Sequence, residues 1–141
     1  MNKQKLHTEI IVLCDYASIS QDGKLSINGV FDELRIQKFP GGIARAFFVA
    51  TINGTPSTSY RLTLNIEPSK GFAGDKNNFD LNTFTSPNGK SNLLVELAGL
   101  GFNEEGEYKF ILKDGQKEVA STILRVMDQA KVSVTEPKLP N

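Results

Sequence analysis

A thiol and an imidazole are the first pair to test for chemistry, because the chain holds one of each, Cys14 and His7. They would work as nucleophile and base only if brought within about 3 Å. Both fall in one stretch of strand-forming residues, seven positions apart. At ~3.3 Å per residue that is ~23 Å, and an odd spacing sends the two side chains to opposite faces of a strand. An unbroken strand therefore builds no dyad. The same histidine would have to serve a Ser-His-Asp triad. No Gly-x-Ser-x-Gly elbow is present to offer the serine. Cys14 reads as a small buried hydrophobe.

Metal chemistry is equally short of ligands. Zinc takes three or four His, Cys or carboxylate groups, and one Cys with one His is too few. Calcium takes six to eight oxygens, several from acids held together. The candidates are Asp22, Asp32, Glu33, Glu104, Glu105 and Glu107, but no Asp-x-Asp loop groups them. Glu104-Glu105 reads as a solvated turn. Two acids within reach would suffice for a glycosidase, and nothing marks such a pair. Gly99-Leu100-Gly101 is not a dinucleotide fingerprint, because strand-like sequence follows where a helix is required. No metal and no cofactor is expected.

Phe39, Phe72 and Phe102 fall in predicted loops beside Pro or Gly. An exposed aromatic there can anchor a protein partner or stack on a sugar. The competing reading is that each ring folds back over an end of the core.

The whole chain bounds these ideas. It has 141 residues, 39% hydrophobic and 23% charged, which fits one soluble domain. Lys plus Arg and Asp plus Glu balance at 16 each, so nothing supplies the basic excess of a general nucleic-acid binder. Lys3-Gln4-Lys5 is the longest basic cluster and reads as a solvated end. Apolar runs such as Ile10 to Cys14 fall far short of the ~20 residues of a membrane span. No secretory pattern follows the N-terminal lysines. With one cysteine there is no intrachain disulfide. The expected address is the cytoplasm, or a phage particle assembled there. Asn53-Gly54-Thr55 then reads as a turn, not a glycan site.

The elements that would position any site are strands. Residues 6–17 are rich in strand formers, and Asp22-Gly23 supplies a turn. Residues 24–36 read as a second strand with a bulge or bend at Gly29. Phe39 to Gly42 reads as a loop and 43–52 as an apolar strand. Tyr60, Leu62, Leu64 and Ile66 alternate with Arg61, Thr63, Asn65 and Glu67, the clearest period-two pattern here. A loop is expected over 69–77, and strands over 78–85 and 92–100. A hairpin about Asp114-Gly115 joins strands at 108–112 and 119–126. Residues 127–134 would add a short strand, or 126–132 one helical turn. The pattern predicts an all-β fold, a single antiparallel β-sandwich of seven to nine strands. The domain covers 1–135, and 136–141 read as a mobile tail.

Glu104-Glu105-Gly106-Glu107-Tyr108-Lys109-Phe110 sharpens that fold. It resembles the start of the penultimate strand in immunoglobulin-like sandwiches. There a tyrosine hydroxyl bonds backward to backbone at a chain corner while its ring covers the core end. Phe110 stands at the usual cysteine position, and the chain lacks tryptophan. A broader resemblance runs through Cys14-Asp15-Tyr16-Ala17, Gly23 to Phe31, Pro40, Gly106-x-Tyr108-x-Phe110 and Asp114-Gly115. Together these look like a family of uncharacterised bacterial and phage-associated proteins, a domain of unknown function. That resemblance implies a small intracellular all-β domain and brings no activity or cofactor.

The expected function is a non-enzymatic, immunoglobulin-like β-sandwich acting as a protein-interaction or assembly module, with a protein partner or self-association through sheet edges. The alternative is a small-ligand domain for carbohydrate or calcium. A carboxylate-only hydrolase is the remote third.

Overall fold

The computed structural model describes residues 5–68 and 78–132. Nine strands and one helical turn are formed among them: β1 (His7–Ile19), β2 (Leu25–Phe31), β3 (Glu33–Ile36), β4 (Gly41–Asn53), β5 (Ser59–Pro68), β6 (Asn78–Phe84), β7 (Lys90–Phe102), β8 (Gly106–Asp114), β9 (Lys117–Asp128) and α1 (Gln129–Val132). They make a four-stranded sheet in the order β2-β1-β4-β7 and a five-stranded sheet in the order β3-β9-β8-β5-β6. The expected loop 69–77, with Phe72, and the tail 136–141 lie outside the described residues.

One shared apolar core joins the sheets. Leu13, Phe48, Ile52 and Leu97 come from the first sheet, and Leu62, Leu64, Phe110 and Leu124 from the second. The period-two reading of β5 holds, since Tyr60, Leu62, Leu64 and Ile66 are buried while Arg61 and Glu67 are exposed. Burying such side chains contributes ~1.5–3 kcal/mol each before the entropy of ordering the chain is subtracted.

The sheets are not all antiparallel. Residues 24–36, expected as one strand, divide at Asp32. β2 stays in the first sheet, and β3 crosses to the second and pairs parallel with β9. The chain changes sheet without reversing, and the Arg125 N–H donates to the Asp32 carbonyl at 2.8 Å, which seats β3 beside β9. Gly29 takes a left-handed φ of 71° within β2. That conformation calls for glycine, and a Cβ there would also require the Asp15 side chain to turn aside.

Two further boundaries moved. β4 begins at Gly41, inside the expected loop, and no separate strand follows β9 before residue 133. β9 runs on to Asp128, whose carboxylate accepts from the Ala130 N–H at 3.0 Å and starts α1.

The immunoglobulin-like corner forms as the resemblance implied. The Tyr108 hydroxyl donates to the Glu104 carbonyl at 2.7 Å, and Gly106 adopts φ 150° just before it. Phe110 is fully buried between the sheets. A polar plug closes the opposite corner. The Thr85 hydroxyl donates to the Thr55 carbonyl at 2.6 Å and accepts from the Thr58 N–H at 2.9 Å.

Candidate interaction face

β4 is buried on both sides. Residues Ala46 to Ile52 are all buried, where a sheet with one wet face would alternate. Ala46, Phe48, Ala50 and Ile52 face the other sheet. Phe47 and Val49 point away from it, into a second apolar cluster with Cys14 and Ala17. Partly buried Val12, Leu25, Ile27 and Leu94 pack around them, so all members come from β1, β2, β4 and β7.

Register arranges this far face in rows, because residues directly opposite in a ladder share a side. Val30, Cys14, Phe47 and Glu96 form one row, and Val12, Val49 and Leu94 the next. At one end the Thr51 hydroxyl donates to the Asn92 side-chain oxygen at 2.8 Å. At the other, Arg45 lies 5.6 Å from the Tyr16 ring centre and 5.0 Å from that of Phe47. The two rings meet edge to face at 5.5 Å. Glu96 holds the Arg45 guanidinium at 2.6 Å. Val30 is 61% exposed and Tyr16 46%.

The far face of the five-stranded sheet is built differently. Lys109 pairs with Glu118 at 3.3 Å, Lys113 with Glu67 at 3.9 Å, and Arg125 with Glu107 at 3.3 Å. Half-exposed Ile123 on β9 and Phe84 on β6, 64% exposed, are apolar exceptions there.

Of the aromatics singled out in sequence, Phe102 is a correction. It is the last residue of β7, not a loop residue, and only 4% exposed. Its ring lies 4.7 Å from that of Tyr108, edge to face. Phe39 is half-buried against the shared core, in the turn before β4, and a cis bond joins it to Pro40. Phe72 lies outside the described residues.

Cys14 and His7 do not meet, for a reason partly different from the one expected. The ladder shifts between Thr8 and Ile10, leaving Glu9 as an extra residue. His7 therefore opposes Asn53 while Cys14 opposes Phe47, which puts both on the same side of the sheet. Six residues of β4, ~20 Å, still separate them. Burial, and next the neighbouring Asp15 charge, push the Cys14 thiol above its usual range, and a weak bond to the Tyr16 carbonyl opposes this.

Of the candidate calcium ligands, Asp32, Glu33 and Glu107 line one hollow with Arg125, while Asp22 and Glu105 lie elsewhere. Asp22 is held by Ser20 and Lys24, and Glu105 by Lys131. Glu33 and Glu107 flank Arg125. No three His, Cys, Asp or Glu side chains gather as a metal set among the described residues. A hollow of about 550 Å³ over β5 and β6 is lined by Ser59, Tyr60, Arg61, Asn82, Thr83 and Phe84, with no carboxylate to act on a glycoside. In a smaller one of about 210 Å³ the Glu33 and Glu107 carboxylates are paired with Arg125. No helix among the described residues is long and apolar enough to cross a membrane.

Sequence reasoning passed over Tyr16, Arg45, Phe47 and Glu96. The available signal was the unbroken run Ala46-Phe47-Phe48-Val49-Ala50, which lacks the alternation of a half-wet strand.

Fold and face define an all-β chain of two sheets, one with an apolar far side. Residues 9–127 match the model of a family of unknown function (DUF6941), and the chain belongs to that family. No curated protein matches the sequence. Among solved structures, a β-glucosidase from Bifidobacterium adolescentis is similar with a TM-score of 0.52 at 10% identity, over 87% of this chain and 17% of that one. A β-glucosidase from Listeria innocua, in complex with glucose, gives 0.51 at 8% identity, over 89% and 16%. An immunoglobulin-like protein from Pseudomonas aeruginosa gives 0.45 at 14% identity, over 86% and 95%. This chain thus spans about a sixth of the β-glucosidases it matches, and at these identities the likeness is one of fold alone.

Proposed function

We propose that the protein is a non-enzymatic interaction or assembly module of immunoglobulin-like sandwich form, acting in the cytoplasm or in a phage particle assembled there. The Tyr108 corner and the buried Phe110 support the form. The observation that carries the function is the contrast between the two far faces. One carries ion pairs, with Ile123 and Phe84 as its exposed apolar side chains, and the other holds a contiguous apolar cluster rimmed by Tyr16 and Arg45. An antiparallel sheet normally keeps its outer face polar. Here the centre of the cluster is buried, and Tyr16 and Val30 are the large apolar side chains it shows to solvent, beside Arg45. Exposed apolar groups with a polar rim mark a contact site. Tyr and Arg are the residue types that carry much of the binding energy in protein interfaces. Stacking on Tyr16 and Phe47, with Glu96 alongside, already orders Arg45, so less entropy is lost on docking. A broad strand-built face suits a protein partner, whereas small ligands prefer concave pockets.

A photo-reactive phenylalanine analogue at position 16, with a control at position 109 on the other face, tests this in the native host. Discrete protein adducts from position 16 and none from 109 support the reading. Adducts from neither, or equally from both, overturn it.

A further inference from the structure

The four strands at the sheet edges differ in one respect. β7 carries Lys90 and Glu96, and its start is tied to β6 by the Thr83 and Ser91 hydroxyls. β6 contains Asp80, and the four-residue β3 contains Glu33 and Arg35. Charges of this kind are how natural proteins blunt an open edge. β2, Leu25–Phe31, has neither charge nor proline in seven residues, and β1 is its one strand neighbour among the described residues.

We propose that β2 pairs antiparallel with β2 of a second copy, with Asn28 opposite Asn28 on a two-fold axis. This rests on the interaction-module reading and names one partner for it. The register comes from charge. With Asn28 on the axis, Leu25 faces Phe31 and Ser26 faces Val30, and just beyond them Lys24 of each copy faces Asp32 of the other. A slip of one residue sets Lys24 against Phe31 in one direction. In the other it sets Asp32 against Leu25 and leaves Lys24 only Glu33, which already belongs to β3 beside β9. Within one copy Lys24 meets Asp22 at 3.4 Å, with the side chains 82% and 64% exposed, a contact weak enough to exchange. Gly29 departs from extended backbone, with φ 71°, so the pairing must accommodate one irregular residue beside Asn28. The axis runs perpendicular to the sheet, so β2-β1-β4-β7 continues into an eight-stranded sheet whose apolar far face spans both copies. Such a contact is isologous and closes at two.

Sedimentation of the full chain from about 1 to 100 μM, the concentrations over which a micromolar dimer forms, reads the outcome. A dimer is expected, with Lys24→Asp and Asp32→Lys each weakening it about tenfold and the double swap restoring it. Circular dichroism checks that each variant folds. Across the axis, opposed Cα atoms lie about 4.5–5.5 Å apart, within disulfide reach, so oxidised Asn28→Cys should trap a covalent dimer and Lys113→Cys should not. A monomer throughout, or a dimer indifferent to both swaps and untrapped by Asn28→Cys, overturns the β2 pairing. Adducts from position 16 in that case leave the interaction-module reading standing. Their absence beside an intact β2 dimer overturns the far-face assignment alone.

Discussion

The Tyr108 hydroxyl reaches back four residues to the Glu104 carbonyl at 2.7 Å while its ring packs edge-on against Phe102. One side chain thus ties the turn after β7 to the start of β8 and seals that end of the shared core. Tyr108→Phe keeps the ring and deletes the bond. Unfolding in urea should show a loss of ~0.5–1.5 kcal/mol, with the midpoint lowered and the slope unchanged.

The same tyrosine sets an alkaline limit. Burial, and to a lesser degree the Glu104 charge, raise its pKa above the usual 10.0, against the lowering effect of the backbone bond. A group whose pKa is raised on folding contributes stability that is complete below the unfolded pKa and lost as pH rises through the folded one. Thermal melts of the wild type should therefore lose stability above about pH 10. Tyr108→Phe should lack that component.

Glu9 governs part of the acid side. Projecting from the bulge, it accepts from the Asn53 amide at 2.6 Å and pairs with Lys90 at 3.3 Å, and these partners depress its pKa below 4.5. The associated stability is present above pH 4.5 and is lost as pH falls through the lower folded value. Glu9→Gln should flatten the melting temperature against pH in that window and leave the neutral range little changed.

Thr85 is a fully buried hydroxyl that the chain cannot replace with a methyl group. Thr85→Val keeps the volume but strips the Thr58 N–H of its acceptor and the Thr55 carbonyl of its donor. The expected cost is ~1–3 kcal/mol by chemical denaturation, with Thr85→Ser recovering most of it.

Cys14 should behave as a structural thiol. Enclosed between Phe47, Val49 and Ala17, with its pKa raised, it offers little thiolate. Labelling by a disulfide reagent should be slow in the folded protein and accelerate in step with unfolding by denaturant. Fast labelling of the native chain would contradict this packing.

Local patterns were readable and long-range ones were not. The alternation in β5 and the Gly106-x-Tyr108 corner are written within a few consecutive residues, because side-chain period and turn conformation are properties of the local backbone. The bulge at Glu9 left no such mark. It is visible only against β4, and it put His7 and Cys14 on one side where simple counting had put them on two. The far-face site was half legible. The run from Ala46 to Ala50 announces a strand buried on both sides, but no spacing rule brings Tyr16 to Arg45 and Glu96.

By itself, then, the order of residues determined that this chain forms strands, which of their residues seek cover, and where a tyrosine would lock a corner. Sheet membership, the parallel seat of β3 beside β9, and the pairing of Thr51 with Asn92, 41 positions away, were decided by tertiary structure. The physical reason is that hydrophobic burial is non-directional and tells a residue to leave water. Only the hydrogen-bonded ladders and the packing of distant strands settle which neighbour it finds there.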